Sequence, residues 1–166
     1  GLGRVKRIVL YDTLLQAHER DEVLAVLAHE MGHLKMGHVW KQLLLFGAAS
    51  LALLFAASRL MLWKPLYAAF GFEGTPLFVG LFFVGVIWEP LGFFLSPLGM
   101  ALSRRFERRA DRFALERAGL GEALARALGR MARDNLANLH PHPLYVRFHY
   151  SHPPLAERIH ALSHFA

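Results

Sequence analysis

The chain has 166 residues, enough for one domain with a core of its own, and it has no cysteine. Disulfides, thiolate metal sites and cysteine nucleophiles are therefore excluded, and the lack of cysteine fits a reducing compartment. The net charge of +6 points to an anionic partner; arginines cluster at Arg104-Arg105 and Arg108-Arg109 beside very apolar stretches and no DNA- or RNA-binding signature appears, so that partner reads as a lipid bilayer and not nucleic acid.

The opening, Gly1-Leu2-Gly3-Arg4-Val5-Lys6-Arg7, has no methionine and no signal-peptide pattern, and reads as the middle of a longer protein. Residues 7–11 (Arg-Ile-Val-Leu-Tyr) are β-prone and predict a short edge strand. Asp12 and Thr13 are candidate caps for a helical turn over residues 14–18. A longer helix follows, with Asp21 and Glu22 at its acidic start, an apolar face of Val23, Leu24, Val26 and Leu27, and an end near Gly37. It carries His29-Glu30-Met31-Gly32-His33. Positions i and i+4 lie one above the other on a helix, so His29 and His33 share a face. Two imidazoles at that spacing fill two corners of a tetrahedral zinc site, and Glu30 can reach an activated water without binding the metal itself. The plain alternative is a helix with two surface histidines.

Residues 43–62 form an apolar run broken only by Arg59 near its end and bracketed by Trp40 and Trp63, as interfacial aromatics would. Residues 64–76 make a turn-rich connector with Gly71 and Gly74. A second apolar run, from 77 to about 100, is also long enough to cross a bilayer. The competing reading is a helical hairpin inside a soluble core. Glu89 falls within the second run; a carboxylate at that depth is a candidate functional group, and the favoured reading is a glutamate packed in a helix bundle. Lys35 and Lys41 precede the first run and Arg104, Arg105, Arg108, Arg109 and Arg112 follow the second, whereas the connector side has only Arg59 and Lys64. The positive-inside rule then puts the H-E-x-x-H side in the cytoplasm.

Residues 102–118 read as an arginine-rich amphipathic helix ending at Gly119. Residues 122–139 read as another, with Leu124, Leu128, Met131 and Leu136 on its apolar face. His140-Pro141-His142-Pro143 breaks it, and Pro153-Pro154 can open a last short helix. The organisation expected is therefore 1–38 as the first half of a catalytic core, 39–63 and 77–100 as spans joined by 64–76, and 101–166 as the second half of the core.

Two histidines and a water leave one zinc corner for another element. Glu107 is the best candidate, on a predicted helix with Asp111 one turn further along the same face. Asp111 can accept the free ring N–H of a ligating histidine. His38, His149 and Glu116 are weaker rivals for the third corner.

The ordered set of His-Glu-Met-Gly-His, two apolar spans, Glu107-Arg108-Arg109-Ala110-Asp111, then His149-Tyr150-Ser151-His152-Pro153-Pro154 with Arg158 following, resembles the CaaX prenyl endopeptidases. These are integral-membrane zinc metalloproteases related to the HtpX heat-shock proteases, and the resemblance runs over essentially the whole chain. The first motif alone is shared by many metalloproteases; its order with the rest is far more specific, and residues 143–154 lean toward the CaaX branch. The resemblance implies a mainly α, zincin-like core and a multi-pass membrane protein. It implies one zinc held by His29, His33 and Glu107, with Glu30 as general base. Asp111 matches the aspartate of the family's Glu-x-x-x-Asp motif, and His152 and Arg158 match positions near the scissile carbonyl. The implied substrate is a protein or peptide bearing a prenylated cysteine. The family also has further membrane helices and a substrate-binding edge strand with an Asn-Ala motif before this region, which these residues do not include. Two other readings share the pattern: an HtpX-like quality-control protease, and a non-catalytic metal-binding scaffold.

Overall fold

The computed structural model describes residues 9, 10 and 12–164. Among them there are eight helices and no strand: α1 (Asp12–Ala17), α2 (Arg20–Lys35), α3 (His38–Met61), α4 (Lys64–Ala69), α5 (Leu77–Glu116), α6 (Gly121–Asp134), α7 (Pro143–His149) and α8 (Leu155–Ser163). Of the predicted edge strand, Val9 and Leu10 are irregular, and Arg7, Ile8 and Tyr11 lie outside the described residues. The chain divides into two compact units, one built from the stretch up to His38 together with that from Leu98 onward, the other from Val39–Pro97.

The first unit is built on small residues. Ala25 and Ala28 of α2, Ala114 of α5, Leu124 and Leu128 of α6, and Leu162 of α8 form one buried cluster. Alanine at these points lets helices approach closely, and the leucines fill the space between them. The polar edge of the same contact is ionic. Arg130 on α6 reaches Glu22 at 3.2 Å, Arg126 pairs with Asp21, and fully buried Glu22 also accepts from the Glu19 backbone N–H at 3.2 Å. Glu22 thereby ties the first turn of α2 to α6.

The second unit is apolar and mostly uncovered within the described residues. Leu44, Leu51, Phe55, Phe78, Phe82 and Phe94 are all more than 60% exposed. Nothing among the described residues covers these side chains as the core of a soluble domain would. Both α3 and α5 are long and apolar enough to cross a membrane. The corner between them is closed by Tyr67, which is fully buried, packs on Val79 and Phe83, and donates to the Met61 carbonyl at 2.9 Å. Gly80 makes room for it, since a Cβ there would collide with the Tyr67 hydroxyl. The connector is accordingly not all turn, because α4 occupies its first half.

The predicted helices at 77–100 and 102–118 are one continuous helix of 40 residues. At 1.5 Å per residue it is about 60 Å long, roughly twice the hydrocarbon core of a bilayer, so only its apolar part can lie inside one. Pro90 and Pro97 sit within it. Pro97 has no N–H for the Phe93 carbonyl, and the Ser96 hydroxyl donates to that carbonyl instead, at 2.8 Å. That substitution is one reason the helix survives where proline would otherwise end it.

Helix α6 stops at Asp134, short of the predicted 139. Asn135 donates its side-chain amide to the Met131 carbonyl at 2.8 Å, and Leu136 takes a left-handed φ of 48°. The chain has left the helix before Leu136 could join the apolar face, and that residue is 91% exposed. Helix α7, not anticipated from the sequence, begins with Pro143 at its first position and His142 accepting from the Leu144 N–H at 3.3 Å.

Leu162→Ala should cost about 2–5 kcal/mol of stability, because it empties a closed pocket of the cluster. Leu136→Ala should be close to neutral. Denaturant titration of the detergent-solubilised protein, followed by tryptophan fluorescence, would compare them; equal midpoints would mean the cluster is not the core.

Candidate metal centre

Gly32 sets the site. A Cβ at this position would stand 3.1 Å from Phe113 Cβ and 3.2 Å from Ala110 Cα, tighter than side chains normally pack. Glycine lets α2 lie almost backbone to backbone on the charged part of α5. The residues flanking the contact, His29 and His33 on α2 and Glu107 and Asp111 on α5, then meet across it.

The Nε2 atoms of His29 and His33 and the Glu107 carboxylate form a triangle of donor groups, with a different carboxylate oxygen facing each histidine. His29 Nε2 and His33 Nε2 are 3.2 Å apart, His33 Nε2 is 3.3 Å from Glu107 Oε1, and His29 Nε2 is 3.5 Å from Glu107 Oε2. A tetrahedral ion with bonds of 2.0–2.1 Å has edges of about 3.3 Å. These three residues form the group among the described residues able to hold a metal ion. The donor chemistry agrees with the lengths. Each histidine has its other ring nitrogen engaged: His29 Nδ1 lies 2.9 Å from Asp111 Oδ1, and His33 Nδ1 lies 3.0 Å from His38 Nδ1. With a proton on each Nδ1 alone, the form a metal ion would select, two Nε2 lone pairs and a carboxylate face one another; without an ion, the raised pKa of His29 shows the same demand for positive charge met by a proton.

The electrostatics have the same origin. Burial alone pulls the His29 pKa down, but hydrogen bonds to Asp111 and Glu107 outweigh it and raise the value to about 9. Burial pushes Glu107 and Asp111 up, yet both lie below the ordinary carboxylate range: contacts from His152, His29 and His33 hold Glu107 down, and contacts from His29 and Arg158 hold Asp111 down. Both acids are thus anionic at neutral pH and supply the charge a cation needs.

The remaining predicted residues surround this triangle. Glu30 lies next to His29 on α2 with its side chain exposed. His152, 60% exposed, places Nδ1 2.7 Å from Glu107 Oε2. Arg158 is buried and spends its guanidinium on Asp111, Nε to Oδ2 at 2.8 Å and Nη2 to Oδ1 at 2.7 Å, with Nη1 3.8 Å from Glu107 Oε2. Among the rivals for the third corner, Glu116 pairs with Arg112 at 3.6 Å and His149 packs at a tilt against Tyr145, and neither belongs to the group of possible metal ligands. His38 contacts His33 through Nδ1, the side turned away from the triangle.

The whole chain, residues 1–166, matches the family described as peptidase family M48. The chain belongs to peptidase family M48. Its relatives in this family include a protein named CAAX prenyl protease 1 homolog from Oryza sativa subsp. japonica, 40% identical over 169 residues, covering 98% of this chain and 38% of that protein. One of the same name from Homo sapiens is 41% identical over 201 residues, covering 98% of this chain and 42% of that protein. The crystal structure of S. mikatae Ste24p superposes with a TM-score of 0.81 at 30% identity, over 98% of this chain and 40% of that one. The M48 chain described here thus spans about two fifths of the length of the curated relatives it matches.

Arg104 was not singled out in the sequence beyond its charge. It donates to the Val146 and Tyr150 carbonyls, at 2.9 and 2.7 Å, and so pins the C-terminal end of α7 two residues before His152. Its signal is the phase of the arginines on α5: Arg104 is half-buried on the face of Glu107 and Asp111, whereas Arg105, Arg108, Arg109 and Arg112 are exposed.

Arg158→Met should destabilise the protein by about 3–5 kcal/mol, because it leaves Asp111 buried without its partner. The double variant Asp111→Leu with Arg158→Met should lose much less than the sum of the single losses. Additive losses in a double-mutant cycle would show that the two are not a coupled pair.

Proposed function

We propose that this chain carries the metal centre and the catalytic base of a zinc endopeptidase of membranes, one that cleaves prenylated CaaX-type proteins near their C-termini. The approach of His29 Nε2, His33 Nε2 and the Glu107 carboxylate, with 3.2 Å between the nitrogens, 3.3 Å from His33 to Oε1 and 3.5 Å from His29 to Oε2, carries the reading. The names of the relatives give the substrate class, and the two long apolar helices agree with a substrate that is itself lipidated.

His29, His33 and Glu107 would hold the zinc. When bound, it supplies Lewis acidity, polarising the scissile carbonyl and lowering the pKa of the attacking water. Glu30 accepts the proton of that water and later delivers it to the leaving amine, from an exposed position that leaves its carboxylate mobile enough to serve both atoms. His152, at the rim of the cluster, donates to the oxyanion that develops on the carbonyl. Arg158 acts one step behind, through Asp111: its fork fixes the carboxylate that fixes the His29 ring. In this reading the H-E-x-x-H side faces the cytoplasm, where the arginines that follow the apolar part of α5 lie.

In the full-length protein, Glu30→Gln should retain zinc and lose peptide hydrolysis by about a hundredfold to ten-thousandfold, the usual worth of a general base. Hydrolysis of a prenylated peptide at the wild-type rate would overturn the mechanism. Glu107→Ala should bind zinc more weakly, as read by metal analysis after dialysis; unchanged stoichiometry and affinity would remove Glu107 from the site. The chain's own lack of cysteine makes the topology testable. A cysteine placed near Gly71 should be labelled by an impermeant reagent from outside, and one near Arg108 should not; the reverse pattern would invert the orientation.

A further inference from the structure

His38 is 1% exposed, stands immediately outside the triangle, and is unlike a histidine that merely fills space. It is the first residue of α3, delivered there by Gly37, whose φ of 65° turns the chain sharply after α2. That turn brings His38 back beneath His33, five positions earlier, with the two Nδ1 atoms 3.0 Å apart. The opposite face of the ring is also used. His38 stacks on Phe106 with centroids 4.2 Å apart and planes within 12°. Phe106 directly precedes Glu107, so one imidazole touches both a histidine of the triangle and the residue beside its carboxylate.

We propose that His38 is a positioning residue for the metal centre: its Nδ1 accepts the His33 Nδ1 proton and thereby aims the His33 Nε2 lone pair into the triangle. The inference rests on the reading of His29, His33 and Glu107 as metal ligands. The tautomers follow from that reading. A neutral imidazole that presents a lone pair on Nε2 carries its proton on Nδ1, and two Nδ1 atoms at hydrogen-bond distance need one donor and one acceptor. His33 is the donor, so His38 accepts on Nδ1 and carries its own proton on Nε2. The two histidines of the triangle are thus oriented differently. His29 leans on the carboxylate of Asp111, which is fixed by Arg158, whereas His33 leans on a neutral ring fixed by stacking. A carboxylate on both would add a further negative charge to a cluster that already holds Glu107 and Asp111, with Arg158 the only guanidinium among its described contacts.

Two substitutions separate positioning from packing. His38→Phe keeps a flat ring for Phe106 but has no acceptor; His38→Asn loses the ring yet carries its amide oxygen where Nδ1 of histidine sits. The measurement is zinc affinity of the full-length, detergent-solubilised protein by competition with a chelator, with the melting temperature of the metal-stripped protein as a separate readout. His38→Phe should bind zinc about tenfold to hundredfold more weakly, the usual effect of removing a group that orients a ligand, with little change in the metal-free melt. His38→Asn should stay within about threefold of wild type even where its metal-free melt falls. A space-filling role predicts the opposite order. Wild-type affinity in His38→Phe overturns the proposal, as does a loss of tenfold or more in His38→Asn, and the latter stands alone if the phenylalanine variant does not fold. If the wild-type protein binds no zinc, the metal reading fails first and this inference falls with it; if it binds zinc and only the order of the variants is wrong, the metal reading stands.

Discussion

The site depends on a missing side chain. At Gly32 the backbone of α2 approaches Ala110 and Phe113 of α5 so closely that a Cβ would stand 3.1–3.3 Å from them, tighter than side chains normally pack. Glutamate is short relative to the width of a helix pair, and Glu107 spans from one axis to the imidazoles of the other only because the axes are this near. Ala25, Ala28 and Ala114 extend the same close contact toward α6 and α8. Small residues on the helix that bears the histidines thus serve geometry before hydrophobicity. They bury little area each, and the leucines of α6 and α8 provide most of the apolar burial that holds the pair together.

Close approach brings charge with it. Glu107, Asp111 and Arg158 are each less than 10% exposed, and buried ions are expensive unless each meets a partner of good geometry. The structure meets that demand by linking them in order, from Arg158 to Asp111, from Asp111 to His29, and from His29 to Glu107. Removing Arg158 or Asp111 takes a close partner from its neighbour, whereas Glu107 keeps His33 and His152 beside it. This mutual constraint holds the donor groups of His29, His33 and Glu107 close to one another.

Local patterns in the sequence were enough for α2 and its two histidines, since the i, i+4 spacing needs no tertiary information. The acidic residues of α5 were also legible, as a carboxylate pair one turn apart. What single residues say about element ends was less reliable. Pro97 lies inside α5, where a neighbouring serine supplies the hydrogen bond that proline withholds, and such compensation is visible only once the carbonyl is placed. Leu136 reads as an apolar helical position because periodicity cannot register that the chain has already turned into a left-handed conformation. Arg158 and His38 show the same limit for function. The sequence marks both as polar residues near the motifs, but it does not say which atom each one touches. Arg158 reads as a group for the substrate and is found on Asp111, and His38 reads as a rival ligand and is found behind one.

The polar line from Arg158 to the triangle also fixes when a nascent chain can become competent. His29, Glu30 and His33 are made before the residues they meet. Their partners Glu107 and Asp111 lie on the far side of both apolar helices, and Arg158 comes 47 positions after Asp111. A chain still on the ribosome therefore displays the motif without its third corner, and later displays the third corner without the arginine that neutralises Asp111. The three corners of the triangle can therefore meet only after both apolar helices have been synthesised, and Asp111 gains its buried guanidinium only once α8 has docked.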